Sequence, residues 1–232
     1  MSNNTESFVV AIDGPSASGK STVSREAARK LQVMYVDSGA MYRGMTWKAV
    51  REGVDVTDAD AVIELMASTE WEFFIEDLVL KFTIDGEDPT DHLRSEPVRE
   101  RVANIAVIPE VRVFMVDRLR ETAEFGPLVM EGRDIGSVVF PDARFKYYLD
   151  ADPEERARRR ALELQETEGS GDVEQVLSSL ARRDKIDSTR KTAPLQIPLG
   201  AKVINTTGMT IDEVVDLIVS EVNAERATSS VS

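Results

Sequence analysis

An α/β fold, a parallel sheet covered by helices on both faces, is the architecture this sequence predicts. Three observations carry that reading. Short β-branched apolar runs alternate with segments of helical period along the chain. Five of those runs, 8–13, 33–37, 127–131, 144–149 and 201–205, have the length of buried strands. The first is followed at once by a glycine-rich turn, "GPSASGKS", and then by a helical pattern.

Taken in order, "FVVAID" (8–13) is stopped by Gly14-Pro15, and Val23, Ala27, Ala28 and Leu31 mark a helix over 21–31. "QVMYVD" (32–37) is the second strand, with helices over 39–53 and 58–68. The pattern changes over 70–93, where "EWEFFIE", "LVLKFTIDG" and "EDPTDHL" read as small antiparallel strands joined by polar turns. A helix-rich stretch spans 95–125, followed by strands in "PLVMEG" (127–132) and "ARFKYYLD" (143–150). A charged helix runs from Pro153 to about Gln165, and "ETEGSGD" (166–172) reads as a flexible loop. A helix over Val173–Lys185, a proline-bearing stretch, the strand "AKVIN" (201–205) and an amphipathic helix over 211–225 complete the pattern. "RATSSVS" reads as a frayed tail. The chain shows no internal repeat.

Composition limits the function classes. At 232 residues and 42% hydrophobic, the chain suits one large domain with a sizeable core. It has no cysteine, which excludes a disulfide framework and a thiolate zinc site and fits a reducing cytosol. Its longest apolar runs fall short of a membrane span, and the start "MSNNTES" lacks the apolar stretch of a signal peptide, so a cytoplasmic protein is expected. A net charge of −14 argues against general nucleic-acid or membrane binding. Phosphate ligands would therefore need local cations, and arginines do cluster, at "RARRR" (156–160) and "RR" (182–183).

Gly14, Pro15, Ser16, Ala17, Ser18, Gly19, Lys20 and Ser21 fit G-x-x-x-x-G-K-[ST], in the strand–loop–helix setting that the motif requires. Glycines let successive amides and the helix N-terminus point at phosphate oxygens. Lys20 neutralises charge on the β- and γ-phosphates, and the Ser21 hydroxyl is the expected Mg²⁺ ligand. The loop alone leaves a GTPase switch, an ATPase motor and a small-molecule kinase open. An N-K-x-D motif and a proper D-x-x-G are absent from the chain. It has instead "VDSGAMYRG" after the second strand, which brings Arg43 to the strand ends, and "EGRDIGSVVFPDA" after the third, which brings Arg133 and Asp134 there. Guanidinium forks of this kind suit a second phosphate group.

"IDGPSASGKST", "DSGAMYR", "EGRDIGSVVFPDA", "DADPEERARRR" and "RRDKIDSTRKTAPL" together resemble the bacterial cytidylate kinase family, within the nucleoside monophosphate kinases, from about Val9 to about Val222. The resemblance implies a P-loop NTPase-type fold of one domain over 1–232, with the 70–93 β insertion beside the acceptor and a mobile lid over about 153–186. It implies transfer of a phosphoryl group from ATP, with Mg²⁺, to CMP or dCMP. Thr22 joins the loop residues 14–21 as ATP-binding. Ser38, Arg43 and Arg133 are then expected near the acceptor phosphate, and Arg112 and Asp134 at the cytosine. Arg183 and Asp187 are expected at the ribose, and Arg190 at the phosphates.

Lys20, Arg133, Arg190 and Arg159 are the catalytic expectations, with Arg156 and Arg160 sharing a helix face with Arg159 at i, i+3 and i+4. The chain departs from the family at Ala103, where a serine hydroxyl generally faces the base, and Asn104 is the nearest substitute. His92 reads as a surface residue, Trp47 and Trp71 as packing, and "NTTG" (205–208) as a turn near the adenine. No partner beyond the nucleotides is expected, neither nucleic acid nor membrane, and a monomer is the expected state.

Overall fold

Apolar side chains alternate along β1 (Val9–Asp13), so that Val10 and Ile12 face one way and Ala11 and Asp13 the other. The structure, a computed structural model, describes residues 7–169 and 171–229. In it β1 lies in the interior of the sheet, between β5 and β6, and both of its faces are buried. Its parallel neighbours are β5 (Leu128–Gly132), in register Val9↔Leu128, and β6 (Phe145–Asp150), in register Val10↔Phe145. Outside them pair β2 (Met34–Asp37) on β5 and β7 (Lys202–Asn205) on β6, also parallel. These are the five strands expected.

The insertion is a hairpin of β3 (Trp71–Glu76) and β4 (Val79–Ile84). It does not stand apart: Tyr35 of β2 pairs with Val79, so the hairpin extends the sheet to seven strands, in the order β3-β4-β2-β5-β1-β6-β7. Its two-residue turn, Asp77-Leu78, has positive φ at both positions, the twist that a tight hairpin needs. Trp71 stacks with Phe73 and meets Phe82 and Phe114, so it is a packing residue.

Helices cover both faces. α1 (Lys20–Leu31) and α8 (Ile211–Ser229) pack Val23, Leu31, Val214, Ile218 and Val222 on Val10, Ile12, Val129 and Tyr35. The other face takes α2 (Ser38–Arg51), α3 (Ala59–Ser68), α4 (Glu96–Ala106) and α5 (Pro109–Glu121), which bury Met41, Met45, Val62, Ile105 and Met115 against Ala11, Val36 and Met130. α6 (Pro153–Glu168) and α7 (Val173–Thr189) form a helical hairpin with a small apolar cluster of their own: Ala157, Ala161, Val176 and Leu180, packed on Ala17 of the phosphate loop. Among the described residues no helix is long and apolar enough to cross a membrane.

Three local expectations are corrected. "EDPTDHL" is not a third strand: after one bridge, Ile84↔Glu87, the chain turns into a short 3₁₀ helix, Thr90–His92. Pro89 has no N–H for a ladder, and Asp88 accepts from both the amide and the hydroxyl of Thr90, which closes a turn instead. The loop expected at 166–172 is shorter, because α6 continues to Glu168 and ends on Gly169 at φ 70°. Asp172 then caps α7 by accepting from the amides of Glu174 and Gln175. Ser170, in that loop, lies outside the described residues, as do most of "MSNNTES" and the last three residues of the expected frayed tail. The rest of that tail is helical, because α8 runs on to Ser229.

Candidate active site

The turns after β1, β2 and β5 open into one cleft of about 1240 Å³ beyond the carboxyl ends of the parallel strands. The phosphate loop forms its floor. Gly14 shapes the loop from behind: at φ 154°, a Cβ there would lie 2.1 Å from the Leu149 carbonyl oxygen. Neither Gly14 nor Pro15 lines the cleft, whereas Ser16, Ala17, Ser18, Gly19, Lys20, Ser21 and Thr22 all do. Gly14→Ala would have to push the loop off β6, and weakening of nucleoside triphosphate binding by about tenfold or more, measured by titration calorimetry, is the expected result.

Lys20, only 6% exposed, donates to the Pro15 carbonyl at 3.0 Å. Burial, with Arg133 nearby, pushes its amine down to about 7. The Ser21 hydroxyl donates to Glu131 Oε2 at 2.8 Å, and the Tyr35 hydroxyl to Glu131 Oε1 at 2.6 Å. Burial and the Glu131 charge push the Tyr35 phenol up, so it stays a donor. Sequence reasoning passed over Glu131 and Tyr35. Their signal was the acid at the end of the apolar run "PLVMEG", which strand alternation turns to the α1 side with Tyr35.

All eight residues expected at the acceptor line the same cleft. Ser38 donates to the Glu131 backbone carbonyl at 2.6 Å, which ties the start of α2 to β5. Arg43 pairs with Asp37 at 2.6 Å. Burial opposes ionisation of Asp37, yet Arg43, Arg94 and the Ala40 amide hold its carboxyl below the usual range. Arg112, 2% exposed, is ion-paired with Asp134 and lies over the Tyr42 ring at 5.5 Å. Arg133 donates to Asp187 at 2.9 Å and to the Ser16 hydroxyl at 2.7 Å, bridging the phosphate loop and α7. Arg190 sits 3.8 Å from Asp134 and 3.7 Å from Asp187.

Arg183 makes no hydrogen bond or ion pair among the described residues, and burial together with Arg133 pushes it down to about 10. Buried guanidinium nitrogens without a hydrogen bond, Arg43 Nε, Arg112 Nε and an Arg190 terminal nitrogen, add to this unspent donor capacity. A strongly acidic chain thus concentrates cations where anions of a ligand would enter.

The three arginines expected on one helix face, Arg156, Arg159 and Arg160, separate. Arg159 and Arg160 line the cleft, but Arg156 does not. Arg156 is buried behind the loop, where it pairs with Asp184 at 2.6 Å and donates to the carbonyls of Ser16 and Ala151. The shared helix face therefore presents two arginines, because the third is consumed in bracing α6 and α7 on the loop. Arg159 donates to the hydroxyl and carbonyl of Thr206, joining α6 to the 205–208 turn, beside which Met209 and Thr210 also line the cleft.

Ala103 lines the cleft, but Asn104 is exposed and does not. Exposed His92 stacks on Trp47 at 6.2 Å, away from the cleft.

A family model described as cytidylate kinase matches residues 10–224. A cytidylate kinase of Caldanaerobacter subterraneus subspecies tengcongensis is 43% identical over 209 residues, 90% of this chain and 92% of its own. One from Geobacillus kaustophilus is 44% identical over 214 residues, 92% and 96% of the two chains. An uncharacterized protein of Eubacterium ventriosum, of known crystal structure, shares the fold with a TM-score of 0.52 at 15% identity, over 94% of this chain and 99% of its own.

Proposed function

We infer the division of labour in this cleft from one premise: the chain belongs to the cytidylate kinase family. Its reaction is transfer of the γ-phosphoryl group of ATP to CMP or dCMP, giving ADP and CDP or dCDP. The observation that carries the assignment of residues is the union, in one cleft, of a phosphate loop and a ring of arginines and acids drawn from α2, α5, the turn after β5 and the C-terminal part of α7.

In this reading residues 16–22 cradle the triphosphate through backbone amides, with Gly14 and Pro15 shaping the loop from behind, and Lys20 holds charge on the transferred group. Ser21 and Glu131 would hold Mg²⁺. The fit is good: a hydroxyl and a carboxylate 2.8 Å apart are hard oxygen donors, and Mg²⁺ is commonly held by one or two carboxylates plus phosphate oxygens. When bound, the ion supplies charge neutralisation on the β- and γ-phosphates.

Ser38, Arg43 and Arg133 grip the acceptor phosphate, Arg112 and Asp134 read the cytosine edge, and Arg183 and Asp187 meet the ribose. The acceptor oxygen is already anionic. It forms a bond to the γ-phosphorus as the bond to the ADP oxygen breaks, and no side chain has to remove a proton. Arg133, Arg190 and Arg159 spread the charge of the migrating group. Arg133 and Arg190 are held by Asp187 before the nucleotide arrives, which keeps their guanidiniums near their working places.

The chain acts as one domain over 1–232, with 70–93 as an insertion beside the acceptor and about 153–186 as a lid that moves to exclude water. A cytoplasmic monomer without nucleic-acid or membrane partners is the working state.

The test is ADP formation from ATP and Mg²⁺ with CMP, dCMP, UMP, AMP, GMP or shikimate added separately, against a control without acceptor. Strong stimulation by CMP and dCMP is the expected result; ADP release independent of any acceptor would overturn it. Ala103 leaves one hydrogen bond to the base unmade, so UMP is expected to act as a weak acceptor. Ala103→Ser should widen the preference for CMP over UMP about fivefold, measured as a ratio of kcat/KM values.

A further inference from the structure

Asp13 is an acid in an interior strand of the sheet, fully buried, and it does not line the cleft. A carboxylate in such a place is costly unless its oxygens are satisfied. Here both are: Oδ1 accepts from the Ile135 amide at 2.7 Å and Oδ2 from the Gly136 amide at 2.8 Å. Burial pushes the carboxyl up to about 6, and those two amides pull against it.

The two amides open a short π-turn, Ile135–Val139, whose own bonds begin only at Val138 and Val139, both donating to the Asp134 carbonyl. The first amides of such a turn have no partner within it, and Asp13 supplies one from the neighbouring strand. Immediately before the turn come Arg133 and Asp134, one bridging Ser16 and Asp187, the other paired with Arg112. Immediately after Asp13 comes Gly14, where the phosphate loop begins.

We propose that Asp13 is a positioning residue, whose carboxylate sets the turn carrying Arg133 and Asp134 in register with the phosphate loop and so aligns acceptor with donor. The proposal rests on the kinase reading above. Asp13 touches no reacting group. It acts through two backbone amides on the turn that carries Arg133, assigned to the phosphates, and Asp134, assigned to the base.

Asp13→Asn keeps the size and one accepting oxygen but turns an NH₂ toward an amide N–H, so one of the two bonds is lost. The expected result, on the full chain, is ATP affinity in the absence of acceptor within about threefold of wild type, and kcat/KM for CMP down about 100-fold, the scale of an ångström misplacement. Unchanged kcat/KM for CMP would overturn the proposal, as would an equal loss of ATP affinity. Asp13→Ser serves as a second variant if the asparagine protein does not fold.

Hydrogen exchange of the wild-type chain gives a readout that needs no substitution. The Ile135 and Gly136 amides should be protected as strongly as those of β1, and loop-like exchange there would also overturn the proposal. Wild-type turnover is measured in the same assay. If CMP fails to stimulate the wild type, the kinase reading fails; if it stimulates wild type and variant alike, only the role of Asp13 does.

Discussion

Lys20→Met lowers kcat for CMP phosphorylation by about 10³-fold while leaving the fold intact. The amine is the cation that the phosphate loop encloses, 6% exposed and anchored to the Pro15 carbonyl, so no solvent ion can take its place. Removing one such donor of transition-state charge stabilisation typically costs about 10²–10³ in kcat. Methionine fills nearly the same volume, which separates loss of charge from loss of packing.

Stability should move the other way. In the folded chain the amine is pushed down to about 7, against about 10.5 in an unfolded one. Between those values the unfolded chain binds the extra proton, so wild-type stability rises with pH across that window and is lowest below it. Lys20→Met lacks that slope. Denaturant titrations of both proteins between pH 7 and 9 test this: parallel stability curves would refute the assignment of a buried, proton-releasing lysine, and retained kcat would refute its role in transfer.

Asp134→Ala is the second large effect, and it falls on stability as well as on turnover. Arg112 is 2% exposed and its partner carboxylate is Asp134; truncation leaves an uncompensated guanidinium in the core. Breaking a buried pair from one side costs about 3–5 kcal/mol. For a domain of this size that corresponds to a fall in Tm of about 10 °C. Turnover with CMP should fall with it, since both side chains line the cleft.

The double variant Arg112→Met with Asp134→Leu should recover much of the stability, because an apolar pair of similar volume needs no desolvated charge, yet recover no activity. Calorimetric melts and CMP kinetics on wild type, Arg112→Met, Asp134→Leu and the double variant complete the cycle. Equal loss of stability in the single and double variants would show that the pair is not the source of the effect.

Residues close together in the chain were legible. The phosphate loop and the five parallel strands follow from patterns a few residues long, and Ser38, Arg43, Arg112, Arg133, Asp134, Arg183, Asp187 and Arg190, which the family resemblance singled out, line one cleft. Where local signals competed, the reading slipped. Pro89 and Asp88 made a turn where alternation suggested a strand, and Gly169 ended α6 later than the polar composition of 166–172 suggested.

By itself, then, the sequence determined the α/β class, the loop that takes phosphate, the family, and which side chains could meet in the cleft. Tertiary structure alone decided their employment. It joined Ser21 to Glu131 across 110 residues of chain and Asp13 to Ile135 across 122, withdrew Arg156 from the cleft to hold Asp184, and merged the hairpin with the main sheet. The physical reason is that motifs and caps report bonds within a few residues of themselves. The partner of a buried polar group is chosen by which strand and helix lie beside it, and that is set only when the whole core closes.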